Sequence, residues 1–131
     1  MITSMEISAI NPSSVPEAVG GYVNGLEVRG AERMLFVSGQ IPQDREGRVP
    51  EDIEAQCRLA WSNLTAVLRE AGMDVSNLVK VTTFLSDRAH AEVNSAVRRE
   101  VLGGHEPALT VIITGIWDPA WLIEIEAIAA A

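Results

Sequence analysis

Polar and apolar residues alternate cleanly near the C-terminal end of the chain. Between residues 120 and 129 the alternation has a period of two, which is typical of a β-strand with one buried face. It places Glu124 and Glu126 on one face and the intervening isoleucines on the other. A β-branched run at residues 109–114 comes before it, and turn residues at 115–119 separate the two. The pattern predicts two terminal strands, with two carboxylates on an otherwise apolar segment.

Two other stretches have the periodicity of amphipathic helices. From residue 52 to residue 71, apolar residues recur at intervals of three and four. Pro50 or Asp52 is a suitable start, and Gly72 ends the stretch. A second helix is predicted over residues 88–102, where a Gly-Gly pair stops it. Cys57 falls in the apolar stripe of the first helix, which favours a buried thiol over a reactive one.

The remaining β-rich stretches are short, and a long polar loop follows the third of them. They are residues 2–7, 22–29, 34–38 and 78–85, and the loop covers residues 38–50. The order is strand pair, helix, strand, helix, strand pair. It predicts a single α+β domain over residues 1–131, with two helices packed on one face of a mostly antiparallel sheet. The uncovered apolar face favours self-association into a closed oligomer.

Composition and charge narrow the classes of function. The 131 residues are 47% hydrophobic and 21% charged, as in ordinary globular proteins. A net charge of −8 disfavours nucleic acid and anionic membranes as partners. We expect a cytoplasmic protein, because no stretch has the length of a membrane span and the first residues are unlike a signal peptide. One cysteine and two well-separated histidines support neither a disulfide nor a metal site, and no motif calls for a cofactor.

Five segments, in this order along the chain, carry a family resemblance: GGYVNG, FVSGQIP, NLTAVLREAGMDVSNLVKVTTFLSD, EVNSAV and IEIEAIA. Together they resemble the RidA/YjgF family of reactive-intermediate deaminases, which hydrolyse imines and enamines. The resemblance covers about nine-tenths of the chain. It implies a chorismate-mutase-like fold and a homotrimer with a small-molecule cleft at each subunit interface.

Carried over position by position, the resemblance implies that Glu124 holds or activates the attacking water. Imine hydrolysis needs a water near a protonated C=N carbon and a group that accepts its proton, which a carboxylate can do. A plain solvent-facing carboxylate is the alternative, and Glu126 has no matching role. Trp117, in the last loop, is expected to supply a stacking wall. The other implied cleft residues are Tyr22, Ser38, Gly39 through its backbone N–H, Asn94, Leu109 and Val111.

One position departs from the family pattern. Deaminating members carry an arginine where this chain has Leu109, and that arginine holds the substrate carboxylate in a two-pronged contact that leucine cannot make. Typical 2-imino acids are therefore poor candidate substrates. Arg98, four residues after Asn94, can replace the missing cation or can lie on a solvated helix face beside acids. His105 can serve as an acid or base, or can be an ordinary loop histidine.

Two functions from different classes remain. The first is hydrolytic deamination of an imine, an enamine or a related C–N substrate at Glu124. The second is binding of a small metabolite in the same cleft without turnover. A chaperone-like role of the trimer surface is less favoured. A ribonuclease role is the least favoured, because the chain is acidic and has no basic stripe.

Overall fold

In the computed structural model, which describes residues 5–131, a four-stranded sheet carries two helices on one face. The strands are β1 (Glu6–Ile10), β2 (Gly25–Arg29), β3 (Met34–Gln40), β4 (Leu78–Leu85), β5 (Ala108–Ile113) and β6 (Ile123–Ala130). The helices are α1 (Ile53–Glu70) and α2 (Ala91–Leu102), with short 3₁₀ turns at Val75–Asn77 and Arg88–His90. The predicted α+β class, with both helices on one face, is confirmed. The strand predicted at residues 2–7 lies partly outside the described residues.

The strands do not form the pairs that their order along the chain predicted. The order in the main sheet is β3-β6-β4-β5, while β1 and β2 form a separate antiparallel pair. β3 therefore pairs with β6 and not with β2, and β4 lies between the two terminal strands. The reason is the crossover through α2, which returns the chain so that β5 runs parallel to β4. The loop after β5 then carries the chain to the other edge of β4.

The hydrophobic core lies between the helices and one face of the sheet. From α1 it takes Trp61, Leu64 and Leu68, each at most 1% exposed. From β6 it takes every second residue, beginning with Ile123 and Ile125, as the alternation predicted. Fully burying one such side chain contributes about 1.5–3 kcal/mol. The core therefore fixes which face of β6 is buried and leaves the glutamates on the other face.

The opposite face of the sheet has no helix over it in the described part of the chain. We call it the open face. It carries Glu124 and Glu126 together with large apolar side chains. On β3, Phe36 is 72% exposed and Met34 is 54% exposed. An apolar surface of this kind, beside two carboxylates, is unusual for an isolated subunit.

Cys57 is fully buried in α1, as its place in the apolar stripe predicted. Burial raises the pKa of this thiol to about 11, so it stays protonated and unreactive at neutral pH. Neither helix is long and apolar enough to cross a membrane. Residues 5–131 contain no group of three or more His, Cys, Asp or Glu residues arranged to hold a metal ion.

Helix α1 begins at a capped N-terminus, as the sequence predicted. Asp52 has extended backbone angles, and its Oδ2 accepts a hydrogen bond of 3.0 Å from the Ala55 N–H. We expect Asp52→Ala to lower the free energy of unfolding by about 1 kcal/mol, because an N–H of the first turn loses its partner. Urea denaturation measures this change. Asp52→Asn should retain most of the stability, and an equal loss in Glu51→Ala would contradict the capping role.

Candidate functional site

A β-bulge in β3 shapes the site. β3 pairs regularly with β6 up to Val37 and again from Gln40. Between these points, Ser38 and Gly39 lie opposite the single residue Glu126. A bulge adds one residue to a strand, bends it and redirects the side chains around it. The SGQ sequence at this point is therefore the part of β3 whose backbone departs from regular pairing.

The bulge brings the backbone of Gly39 directly against Glu124. A Cβ atom added to Gly39 would overlap the Glu124 carboxylate oxygen Oε2 and would lie 2.8 Å from Cδ. The φ of Gly39 is not positive, so space and not backbone conformation requires glycine here. The carboxylate therefore occupies the position that a side chain would take at residue 39.

A cavity of about 250 Å³ opens beside this carboxylate on the open face. Phe84 lies directly opposite Glu124 in the β4–β6 register, and Trp117, in the loop before β6, is 92% exposed. The residues that line the cavity are Phe84, Thr114, Gly115, Ile116, Trp117 and Glu124. One carboxylate, two aromatic rings and no cationic side chain therefore surround the space.

A buried glutamine, which the sequence did not single out, holds the loop beside this cavity. The Gln56 Nε2 group donates to the carbonyls of Pro50, at 2.8 Å, and Ala120, at 2.9 Å. Its Oε1 accepts from the Leu122 N–H at 2.8 Å. Gln56 is 1% exposed, so these hydrogen bonds are shielded from water and are stronger than they would be at the surface. They fix the backbone between Trp117 and Glu124 against α1.

Two predicted site residues lie on the other side of the sheet. In the parallel β4–β5 register, Leu109 lies beside Val81 and Val111 beside Thr83. Val81 and Thr83 are fully buried on the side covered by the helices. Leu109 packs against the hydrophobic core, while Val111, in the edge strand, is 38% exposed. Leu109 and Val111 therefore face away from the open face that carries Glu124.

Tyr22 and Asn94 belong with this second set. Val23 forms a parallel bridge with Ala108, and its N–H donates to the Pro107 carbonyl at 3.2 Å. This places the half-buried Tyr22 beside the start of β5. Asn94 is 2% exposed on α2. Within one chain, the predicted residues thus form two sets: an open-face group (Ser38, Gly39, Trp117, Glu124) and a helix-side group (Tyr22, Asn94, Leu109, Val111).

Arg98 is buried, so the solvated helix face considered for it is wrong. It is 4% exposed, and its Nη2 donates to the Gly20 carbonyl at 2.6 Å. Arg98 has no acidic partner among residues 5–131, and its Nε has no hydrogen-bond partner there. Burial lowers the pKa of the guanidinium, Arg99 lowers it further, and Tyr22 acts in the opposite direction. The contact ties the backbone just before Tyr22 to α2.

His105 is held at the far end of β4. Its Nε2 lies 2.7 Å from the carbonyl oxygen of Leu78, the first residue of that strand. Phe84, opposite Glu124, is six residues further along, or about 20 Å at 3.3 Å per residue. His105 is therefore remote from Glu124 within one chain.

The close approach at Gly39 leads to a stability test. We expect Gly39→Ala to lower the free energy of unfolding by about 1–3 kcal/mol, because the added methyl group displaces the Glu124 carboxylate. The same substitution in a Glu124→Ala background should cost much less, and chemical denaturation of the four variants measures the coupling. Gly115→Ala is the matched control, since a Cβ there meets nothing within 4 Å. Additive effects of the Gly39 and Glu124 changes would contradict the proposed contact.

The chain matches known proteins over nearly its full length. The family model described as Endoribonuclease L-PSP matches residues 12–131. The 2-iminobutanoate/2-iminopropanoate deaminase of Salmonella typhimurium is 34% identical over 124 residues, which cover 92% of this chain and 94% of that protein.

Solved structures show the same fold. A conserved Rid-family protein of unknown function from Yersinia pestis superposes with a TM-score of 0.82 at 26% identity, over 95% of this chain and 98% of that one. Escherichia coli TdcF with bound serine gives a TM-score of 0.71 at 30% identity, over 95% and 98% of the two chains. The resemblance predicted from the sequence motifs is confirmed: the chain belongs to the RidA/YjgF family, whose family model carries the Endoribonuclease L-PSP description.

Proposed function

We propose that this protein hydrolyses the C–N bond of an imine or enamine at Glu124, and that its substrate is not a typical 2-imino acid. The observation that carries the proposal is the Glu124 carboxylate, which lies over Gly39 in the β3 bulge and lines a small cavity. Relatives named as imine deaminases support the reaction class. The carboxylate is half-buried and makes no ion pair within residues 5–131. It is therefore free to act on water.

The proposed reaction uses the carboxylate twice. A water adds to the carbon of the protonated C=N bond while Glu124 accepts one of its protons. The carbinolamine nitrogen then takes up that proton and the C–N bond breaks. Ammonia leaves while the hydroxyl gives its proton to Glu124 and becomes a carbonyl, and the ammonia carries this second proton away as ammonium. An enamine enters the same path after protonation on carbon. The backbone around Ser38 and Gly39 is proposed to orient the substrate.

Leu109 restricts the class of substrate that the proposed cleft can bind. A leucine packed against the core cannot form the two-pronged contact that an arginine makes with a carboxylate. Losing such a contact costs roughly 2–5 kcal/mol of binding free energy. The named Salmonella relative acts on 2-imino acids, which carry this carboxylate. We therefore propose that the substrate of this chain has no carboxylate next to its imine carbon.

We also propose that the cleft forms between copies of this chain in a homotrimer. The open-face group and the helix-side group lie on opposite sides of one sheet, so a second copy is needed to bring them together. The exposed Phe36 and Met34 give the open face an apolar surface suited to such contact. In this arrangement Tyr22, Leu109 and Val111 of one copy would complete the pocket at Glu124 of the next, with the buried Asn94 behind them.

Binding without turnover is the alternative function. A solved relative, Escherichia coli TdcF, is described with bound serine, which is not an imine. The same cleft here can retain a small metabolite with Glu124 as a hydrogen-bond acceptor. Cleavage of RNA is not proposed, because 18 acidic residues outnumber 10 basic ones and oppose a phosphate backbone.

An imine-hydrolysis assay tests the catalytic proposal. An amino-acid oxidase generates 2-iminopropionate, an amine oxidase generates the imine of benzylamine, and semicarbazide traps what is not hydrolysed. We expect the wild type to accelerate hydrolysis of the benzylamine-derived imine and to act weakly on 2-iminopropionate. Leu109→Arg should raise 2-iminopropionate hydrolysis at least tenfold, because it restores a carboxylate contact.

Glu124→Gln should abolish hydrolysis of both imines, since an amide cannot accept the proton of water. Glu126→Gln is the matched control, as Glu126 lies on the same strand and face, and it should retain activity. Full activity of Glu124→Gln would contradict the catalytic role. Binding without hydrolysis in the wild type would favour the non-catalytic alternative.

Light scattering after size exclusion tests the assembly. We expect a particle of three times the 14.1 kDa of one chain. Phe36→Asp should reduce this mass, because it places a charge in the proposed apolar contact. Val19→Asp is the control: Val19 is 71% exposed, almost as much as Phe36, but lies outside the sheet. A monomeric wild type would contradict the trimer and the shared cleft.

A further inference from the structure

We infer that the cavity at Glu124 selects small planar cations, such as an aryl iminium or amidinium, and disfavours carboxylates. The inference rests on the proposed function for the place of binding, and it names the chemical class of the ligand. Four observations support it: the charge of the cavity lining, the position of its aromatic side chains, its size, and the hydrogen bonding and burial of the nearby cationic side chains.

The charge of the lining is negative. Of the six residues that line the cavity, five are uncharged and the sixth is Glu124. Lys80 also lies on the open face. Its Nζ donates to Thr110 Oγ1 at 2.6 Å, and its charge interacts electrostatically with Glu126. Lys80 is four residues from Phe84 along β4, or about 13 Å. A bound cation would thus meet an unpaired carboxylate, and a bound anion would meet the same carboxylate without a counter-charge.

The walls of the cavity favour a flat ligand. Trp117 is 92% exposed although Gln56 fixes the backbone a few residues after it. The indole therefore lies in solvent beside the cavity and does not pack into the core. Phe84 supplies a second ring next to Glu124 in the strand register. Tryptophan is the aromatic side chain that binds cations best through its face, and a planar cation can stack on it and donate to a carboxylate together.

The size of the cavity restricts the ligand to about one ring. At about 250 Å³ it is just below the range of roughly 300–1,000 Å³ that is usual for drug-sized ligands. A six-membered ring with one amidinium or iminium group is a suitable occupant.

The helix-side group adds no available cation if a second copy completes the cleft. Leu109 is apolar and Asn94 is a neutral amide. Arg98 is buried, and its Nη2 is bonded to the Gly20 carbonyl. The four residues of the helix-side group would therefore add no positive charge to an assembled cleft.

Three isosteric probes test the charge preference: benzamidinium, benzamide and benzoate. Each is titrated into the full chain labelled with ¹⁵N, and the indole N–H resonance of Trp117 is followed, assigned by its loss in Trp117→Phe. We expect benzamidinium to shift this resonance with a dissociation constant at least tenfold below that of benzoate, with benzamide between them. Glu124→Gln should weaken benzamidinium binding about tenfold or more, because the charged hydrogen-bond acceptor is lost.

Trp117→Ala should weaken benzamidinium about fivefold, measured by calorimetry, through loss of the stacking face. Glu126→Gln is the matched control and should bind like the wild type. Circular dichroism establishes that each variant is folded. Benzoate binding as tight as that of benzamidinium would overturn the inference, as would unchanged benzamidinium affinity in Glu124→Gln or an unmoved Trp117 resonance.

These outcomes are separable from those of the hydrolysis assay. Tight benzamidinium binding without imine hydrolysis supports the ligand class and contradicts the catalytic proposal. Hydrolysis of imines with preferential benzoate binding supports catalysis and contradicts the ligand class.

Discussion

The candidate site depends on the close packing of the Glu124 carboxylate against the backbone of Gly39. The carboxylate occupies the volume that any other side chain at residue 39 would need. This contact lies at the bulge, where β3 has one extra residue opposite Glu126. The bulge and the glutamate therefore act as one structural unit. The bulge has a structural role here: it gives a half-buried acid a fixed position beside a cavity.

Buried polar side chains of the helices hold the segments around this unit. Gln56 on α1 satisfies its amide with three backbone groups and fixes the chain between Trp117 and Glu124. Arg98 on α2 ties the Gly20 carbonyl and so places the backbone before Tyr22. Both side chains lie on the covered side of the sheet, while the loops that they hold reach the sheet edges. The rigid helical layer thus positions residues of both the open-face and the helix-side groups.

Because residue 109 is leucine, membership of the family does not by itself tell which substrate this chain accepts. The fold and motifs agree with relatives that include a named imine deaminase, yet fold alone does not fix the substrate. With leucine in place of a cation, the proposed cleft keeps a carboxylate that can act on water and loses an anchor for an anionic substrate. The same reaction class can then serve a different set of C–N compounds.

The sequence by itself determined the two helices, most of the strands, the class of fold and the family. Periodicity placed α1 and the buried face of β6, because the core must take every second residue of a half-buried strand. It also placed Glu124 on the face opposite the core, while the family resemblance singled out Gly39. Tertiary structure alone decided that β4 separates the terminal strands and that Leu109 and Glu124 lie on opposite sides of the sheet. Pairing between distant strands, the position of a bulge and the burial of Arg98 depend on contacts remote in sequence, which a local pattern does not contain.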